Sequence, residues 1–312
     1  MQRRAILSTP FLALPARAQA WPTRPVRVVV PFAAGGPVEI PTRIMAERLG
    51  QALGQPFLVE ARPGAGGALG VQLVVRENDP HTLLVTTSSV AILPALMRDA
   101  GFDPLRDLTP ITLVSDAPMA LVARAGSPDL PTLLARARAR PGSVSYASSG
   151  AGSTTHLAGA LFAQRAGVEL LHVPYRGAGQ ASGALLAGDT DMLVTGLIES
   201  VPHVREGRMV ALGVTAPERV PQLPGVPALA EFVPGYSMRI WYAMLGPRGF
   251  PAALTERIVS ALQPLREGSA LATRMAESGA VLRLEGPAPL AARLAEEVPL
   301  WRELAARTGI TA

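Results

Sequence analysis

The residues of this 312-residue chain best suited to chemistry form one run of glycines and hydroxyl side chains, Tyr146-Ala147-Ser148-Ser149-Gly150-Ala151-Gly152-Ser153-Thr154-Thr155-His156. Small residues let the backbone come close to a ligand, and hydroxyl groups add hydrogen-bond donors. An apolar helical pattern begins at Leu157, and the first N–H groups of a helix attract an anion. The run therefore predicts a pocket for a carboxylate or a phosphate.

Two other loops have a similar composition, Pro31-Phe32-Ala33-Ala34-Gly35-Gly36-Pro37 and Thr86-Thr87-Ser88-Ser89. Each follows a strand-like segment, as the central run does. Pro37 suits the first turn of a helix, where a missing N–H costs nothing. Glu39 would favour the start of that helix electrostatically and could face the pocket.

Nucleotide binding is disfavoured by glycine spacing and by composition. A dinucleotide fingerprint starting at Gly64 or Gly150 needs its third glycine at position 69 or 155, where the chain has Leu69 and Thr155. The chain also has no lysine, which excludes a phosphate-loop lysine and a Schiff base. It has no cysteine either, so disulfide and thiol chemistry are excluded.

The four histidines, at 81, 156, 172 and 203, show no zinc-type spacing, and we expect no metal and no cofactor. Ser153 is not in a Gly-x-Ser-x-Gly motif, and His156 is expected to brace its loop through local hydrogen bonds. A periplasmic hydrolase or isomerase that uses Ser153 and His156 remains an alternative.

Other candidate residues allow two interpretations. Arg176 could grip a carboxylate with two parallel hydrogen bonds or could be an ordinary surface arginine. The cluster Arg62-Pro63-Gly64-Ala65-Gly66-Gly67 is interpreted as a turn. Trp241 and Tyr242 are expected in the core.

The first twenty residues have the order of a secretory signal peptide. Arg3 and Arg4 precede an apolar stretch, and Ala18-Gln19-Ala20 predicts cleavage after Ala20. The adjacent arginines also allow twin-arginine export. The formal net charge of +5 includes three arginines of this segment, so residues 21–312 carry +2. Without a basic run, nucleic-acid binding is not supported. The predicted signal peptide indicates a periplasmic protein.

Strand-like segments alternate with helical patterns through most of the chain, which predicts α/β sheets that are mostly parallel and covered by helices. The tail from Pro251 to Ala312 is predicted to be helical, with one strand between Ala280 and Leu284. Such folds bind ligands beyond the carboxyl ends of their strands, where the three polar loops lie. The predicted strands cover residues 27–32, 57–60, 83–87, 120–124, 144–147, 170–173, 192–195 and 210–215.

A set of ordered motifs resembles the Bug, or TctC, family of periplasmic solute receptors of tripartite tricarboxylate transport systems. The resemblance covers essentially the whole chain after the signal peptide. The principal motifs are Pro31-Phe32-Ala33-x-Gly35-Gly36, Val59-Glu60-x-Arg62-Pro63-Gly64-Ala65-Gly66-Gly67, Gly152-Ser153-x-x-His156-Leu157-Ala158 and His172-Val173-Pro174-Tyr175-Arg176-Gly177.

The resemblance implies a non-enzymatic, two-lobed receptor of the periplasmic-binding-protein (Venus flytrap) type. Residues 21–122 and 240–312 would form lobe 1, and residues 123–239 would form lobe 2. Such a receptor, expected as a monomer, captures a small carboxylate between the lobes and delivers it to membrane permease subunits; a sensory adaptor would share the same pocket. The implied ligand-binding residues are Phe32, Ala33, Gly35, Gly36, Glu39, Thr87, Ser88, Ser148, Gly150, Gly152, Ser153, Thr154, Tyr175, Arg176, Gly177 and Thr195.

Four positions depart from the family pattern. Glu39 and Ala61 stand where aspartate and asparagine are usual, and the turn at Asp79-Pro80-His81-Thr82 is shortened. Thr195 stands where a pocket aspartate is often found. An ammonium group would lack that partner, so the sequence argues against amino-acid ligands.

Overall fold

The computed structural model describes residues 21–277 and 279–311, and the predicted signal peptide, residues 1–20, lies outside them. Strands and helices alternate through the first two thirds of this part. Its strands are β1 (Val26–Val30), β2 (Phe57–Ala61), β3 (Thr82–Thr87), β4 (Leu108–Arg124), β5 (Ser145–Ser148), β6 (Leu171–Pro174), β7 (Met192–Gly196), β8 (Met209–Val214), β9 (Arg239–Pro247) and β10 (Val281–Leu282).

The helices that follow or separate these strands differ widely in length. They are α1 (Glu39–Leu53), α2 (Ala68–Glu77), α3 (Ser89–Leu96), α4 (Pro104–Asp107), α5 (Leu130–Ala139), α6 (Thr154–Arg165), α7 (Ala178–Ala187), α8 (Leu197–Arg205), α9 (Ala252–Leu262), α10 (Ala270–Glu277) and α11 (Pro287–Thr308). Among the helices that the structure describes, none is both long and apolar enough to cross a bilayer.

The strands form two sheet regions joined by β4. The first region has the order β2-β1-β3-β9-β4-β10, and the second has the order β6-β5-β7-β4-β8. β1 lies parallel to β2 and β3, and β5 lies parallel to β6 and β7. β4 pairs with β9 as far as Pro118 and with β7 from Met119 onward. The two-lobed α/β fold class is confirmed, while the predicted lobe limits stay a prediction.

The sheets are more mixed than the strand and helix alternation predicts. β4 and β9 run antiparallel to their neighbours because they carry the chain between the two regions in opposite directions. The sequence predicted only the last part of β4, since Pro110 and Pro118 argue against a central strand. The structure accommodates the interruption with register shifts next to Pro110 and Leu113.

Both faces of the first region are buried, as expected for parallel strands covered by helices. Val28 and Val30 point toward the core that contains Met45 and Leu49 of α1. Val29, between them, points to the opposite core with α2 and α11. Because alternate side chains of β1 pack on opposite faces, β1 is held between two helical layers. The loop after Val30 therefore has a fixed position at the edge of the sheet.

The crossing strands are fastened to α11 by polar contacts. The buried carboxylate of Asp116 pairs with Arg239 of β9 and, at 2.6 Å, with Arg293 of α11. The Trp241 indole N–H donates to Glu297 of α11 at 2.9 Å. Trp241 is fully buried, which confirms its predicted place in the core.

Candidate functional site

Five helices begin at the gap between the two sheet regions, each directly after a parallel strand or its loop. Their N-cap residues are Val38 for α1, Ser88 for α3, Ser153 for α6, Gly177 for α7 and Gly196 for α8. The first turn of each helix presents N–H groups without intrahelical partners and the positive end of the helix dipole. The gap is therefore suited electrostatically to an anion.

A small cavity, here called the inner cavity, lies where these helices begin. Its volume is about 30 Å³, enough for about two water molecules. One side is lined by Phe32, Ala33, Gly36, Pro37, Val38 and Thr87. The facing side is lined by Ser149, Thr154, Thr155, Ala178, Gly196 and Glu199. Ile240 and Tyr242 of β9 complete the wall.

Two larger cavities flank the inner one. The arginine-side cavity, about 230 Å³, shares Phe32 and Ser149 with the inner cavity and extends to Tyr175 and Arg176. The glutamate-side cavity, about 350 Å³, shares Gly36, Pro37 and Glu199 with the inner cavity. The inner cavity thus lies between the other two, with Ser149 and Glu199 at its opposite ends.

Three contacts close the gap around the inner cavity. The hydroxyl oxygens of Ser88 and Thr154 lie 2.8 Å apart. Gly66 lies so close to the 150–152 loop that a Cβ atom on it would be 2.0 Å from the Ala151 carbonyl oxygen. A Cβ on Gly177 would be 3.2 Å from the Ala33 side chain. The two regions are therefore in contact on several sides of the cavity, a closed arrangement.

The central loop is held by its own hydroxyl groups. The Ser153 Oγ atom caps α6 by accepting the His156 N–H at 3.2 Å, and it lies 3.0 Å from the Thr155 Oγ1 atom. Thr155 in turn accepts the Ser149 N–H at 2.9 Å. These bonds fix the start of α6, and they leave Thr154 and Thr155 at the cavity wall.

A stack of three rings, His156, His172 and Tyr146, supports this loop. The His156 Nδ1 atom accepts the Gly152 N–H at 3.2 Å, which confirms the predicted bracing role. The His156 ring stacks on His172 with centroids 3.9 Å apart, and Tyr146 stacks on the other side of His172. Burial lowers the pKa of His156 to about 4 and that of His172 to about 3, so both rings are neutral at pH 7.

The pairing needed by a Ser153–His156 hydrolase does not form in the described part of the chain. The Ser153 hydroxyl contacts the His156 backbone and Thr155, whereas the His156 ring is bonded to Gly152. Another serine and histidine do meet, because the Ser148 Oγ atom lies 2.7 Å from the His172 Nε2 atom. Ser148 is fully buried, and the low pKa of His172 makes that ring a weak base.

Glu39 lies beneath the first loop and lines none of the three cavities. Its buried carboxylate accepts the Gly35 N–H and forms an ion pair with Arg43 one turn along α1. These contacts hold the glycine loop against the helix. That Glu39 takes part in ligand binding stays a prediction.

The structure brings most of the predicted site residues to one gap, in three groups. Phe32, Ala33, Gly36, Thr87 and Thr154 line the inner cavity, while Gly35, Gly150, Tyr175 and Arg176 line the flanking ones. Ser88 and Gly177 take part in the closing contacts. Ser148, Gly152, Ser153 and Thr195 lie behind the wall and hydrogen-bond to His172, His156, the start of α6 and Glu199.

Glu199 was not predicted as a site residue. Thr195 does not leave the pocket without an acid, because its hydroxyl donates to the Glu199 carboxylate one helical turn further on. Burial raises the pKa of Glu199 to about 7. Its spacing from the N-cap Gly196 is that of a capping-box glutamate, which is an ordinary helix start and gave no sign of a pocket residue.

Tyr242 and the 64–67 segment were predicted to have only structural roles. Tyr242 is buried as predicted, but it also lines the inner cavity. Gly64, Ala65, Gly66 and Gly67 form a tight turn after β2 and also line the arginine-side cavity. The positive φ of Gly66, +63°, and its contact with Ala151 explain why glycine is required there.

Comparisons with known proteins give a family and its solved structures. The family described as "Tripartite tricarboxylate transporter family receptor" matches residues 42–296. Protein BugT of Bordetella pertussis is 32% identical over 313 residues, covering 97% of this chain and 95% of BugT. This chain is therefore similar to a curated relative over nearly its whole length.

The similar solved structures include proteins with bound acids. Periplasmic binding protein BugD has a TM-score of 0.87 and 32% identity, covering 93% of this chain and 99% of BugD. R. palustris Rpa4515 with adipate has a TM-score of 0.86 and 30% identity, with coverage of 93% and 99%. MatC from Rhodopseudomonas palustris with malate has a TM-score of 0.85 and 31% identity, with coverage of 91% and 99%.

Proposed function

This chain belongs to the family of tripartite tricarboxylate transporter receptors, and from that premise we propose that it is an exported, non-enzymatic receptor for a small carboxylate. The ligand would occupy the inner cavity and be delivered to the membrane subunits of a transporter. The structures of Rpa4515 with adipate and MatC with malate support the carboxylate class. The similarity to periplasmic binding protein BugD supports export.

The observation that carries the proposal is the convergence of five helix starts on one cavity. An anion at a helix N-terminus gains about 0.3–1 kcal/mol at an exposed site and up to about 2 kcal/mol where it is partly buried. The hydroxyl groups of Ser149, Thr154 and Thr155 also line this space, where they bond to one another or to Ser88 and could turn toward a ligand. A carboxylate has four lone-pair sites and can accept from several of these groups at once.

Binding and closure are coupled in this proposal. The donors come from both sheet regions, so a ligand that bridges them stabilises the closed form more than the open form. The inner cavity of about 30 Å³ is smaller than an acid of three or four carbons. The two regions therefore have to separate to admit the ligand. The side chains of the cavity wall then have to shift around it, while the contacts of Gly66 with Ala151 and of Ser88 with Thr154 form again.

The proposal can be tested with a charge placed at a helix start. A thermal-shift panel of mono-, di- and tricarboxylates and amino acids on residues 21–312 first identifies an acid that raises the melting temperature. Ala178→Asp then places a carboxylate at the first position of α7, on the cavity wall. At about 4 Å and an effective dielectric constant of about 20, two negative charges repel by about 4 kcal/mol, so affinity should fall roughly a thousandfold.

The matched control is Ala252→Asp, at the first position of α9. Ala252 lies outside the three cavities, in a separate groove between Phe250 and Ala291. Both changes add an acid to a helix start, so both proteins should fold as stably as the parent. Loss of binding in Ala178→Asp alone supports the proposal. Equal binding by the two variants, or a panel in which no acid raises the melting temperature, contradicts it.

A further inference from the structure

Glu199 presents an acceptor to the ligand cavity that the protein itself leaves unmatched. Its Oε2 atom accepts from the Thr195 hydroxyl and from the Gly196 N–H at 3.3 Å. In the described part of the chain, the Oε1 atom accepts no hydrogen bond and the carboxylate forms no ion pair. Glu199 lines both the inner and the glutamate-side cavities, so this residue lies at their junction.

The titratable groups nearest to Glu199 in the two cavities lie on β9, α8 and α10. Tyr242 of β9 faces the same point, because its hydroxyl oxygen and the Glu199 Oε2 atom lie 3.5 and 3.7 Å from where a Gly196 Cβ would be. Burial raises the pKa of Tyr242, so this phenol is uncharged. His203 of α8 and Arg274 of α10 line the glutamate-side cavity but not the inner one.

A partly buried carboxylate with one unmatched oxygen is costly unless a donor reaches it. Burial accordingly raises the pKa of Glu199 to about 7. A ligand donor at this position would satisfy the free oxygen. It would also favour the ionised form over the protonated one.

The two ends of the inner cavity therefore differ in chemistry. The end at Ser149, which is bonded to Thr155, offers hydroxyl groups and the start of α6, which suit a carboxylate. The end at Glu199 offers an acceptor and would repel a second carboxylate. Building on the receptor function proposed above, we propose that Glu199 receives a hydrogen-bond donor of the ligand, and that the preferred ligands are carboxylates with an ammonium or hydroxyl group at their other end.

Isothermal titration of residues 21–312 with ligands that differ only at one end tests the proposal. The four-carbon set is 4-aminobutyrate, 4-hydroxybutyrate, butyrate and succinate, and the three-carbon set is β-alanine, 3-hydroxypropanoate, propanoate and malonate. In the better-fitting set, the amino or hydroxy acid should bind at least about 10-fold more tightly than the acid ending in methyl, as for a hydrogen bond to a charged group. The ammonium and hydroxyl members distinguish the two donor types.

Titrations of two variants, and at two pH values, test whether Glu199 causes the preference for donor-bearing acids. Glu199→Gln should remove most of an ammonium preference, while Glu206→Gln, at the exposed end of the same helix, should leave it unchanged. Affinity for the donor-bearing acid should rise from pH 6 to pH 8 as Glu199 ionises. A dicarboxylate that binds best and weakens over the same interval would overturn the proposal, because protonated Glu199 would then be the donor.

The remaining outcomes separate this inference from the receptor function. If all members of a set bind equally and Glu199→Gln binds them as the parent does, the inference fails while the carboxylate receptor stands. If no acid of either set and none of the wider panel binds, the receptor proposal fails and the inference fails with it. Melting temperatures of both variants close to that of the parent would exclude misfolding as the cause.

Discussion

A single methyl group on Gly66 should prevent closure without unfolding the protein. Gly66 lies in the turn after β2, and a Cβ there would be 2.0 Å from the carbonyl oxygen of Ala151 across the cleft. Close C···O contacts in proteins are about 3.3–3.6 Å, so the two loops would have to move apart by more than about 1 Å. The bond between Ser88 and Thr154, 2.8 Å in the closed form, would then exceed hydrogen-bonding distance.

The expected loss of affinity in Gly66→Ala can be estimated because only the closed form is strained. Extra volume in a close-packed contact costs about 1–3 kcal/mol, and here the cost falls on the closed form alone. Because the ligand binds the closed form, its dissociation constant should rise by about 5- to 150-fold in Gly66→Ala. The open form relieves the clash, so the free energy of unfolding should change only by the cost of alanine at positive φ, about 1–2 kcal/mol.

Gly126→Ala is the control for that backbone cost. Gly126 has φ of +83°, and a Cβ there would meet nothing within 4 Å. Titration with the acid selected by thermal shift and urea unfolding of both variants would separate the two effects. Weaker binding in Gly66→Ala with similar unfolding free energies is expected, and binding within about twofold of Gly126→Ala would refute the closure argument.

Three further changes follow from other contacts. Ser88→Ala removes the cross-cleft bond to Thr154 and should weaken ligand binding about 5-fold in titration, with little effect on ligand-free unfolding. Asp116→Ala leaves two arginines without their buried partner and should lower the free energy of urea unfolding by about 2 kcal/mol. The pKa values of His156 and His172 are lowered in the folded protein, so the unfolded chain binds more protons than the folded one between about pH 6.5 and pH 4. The melting temperature should therefore fall as the pH decreases from about 6.5 to about 4. His172→Phe should make this fall smaller.

Much of the fold could be predicted because short aliphatic strands and helical patterns alternate along the chain. The segments at Val26–Val30 and Met192–Gly196 carry enough β-branched or apolar residues to be recognised locally. β4 was recognised only at its end, since prolines and an aspartate interrupt its first two thirds. Pairing with β9 and ion pairs with β9 and α11 make that segment a strand, and neither is visible in local sequence.

The candidate site was partly predictable for a similar reason. Glycines and hydroxyl residues at Pro31–Pro37 and Ser148–Thr154 mark loops that can approach a ligand, and the structure brings both loops to one gap. Glu199 could not be found this way, because a glutamate in the first turn of a helix usually supports the helix start. Gly66 was taken as part of a turn, and only the fold reveals that it touches Ala151 on the other side of the cleft.

The carboxylate of the ligand is proposed to bind at the helix starts around the inner cavity. A crystal structure of residues 21–312 with the acid that most raises the melting temperature would test this directly. We expect the carboxylate oxygens within hydrogen-bonding distance of N–H or hydroxyl groups at the starts of α1, α3, α6, α7 or α8. An acid bound elsewhere, such as in the groove between Phe250 and Ala291, with the inner cavity unchanged, would contradict this binding site.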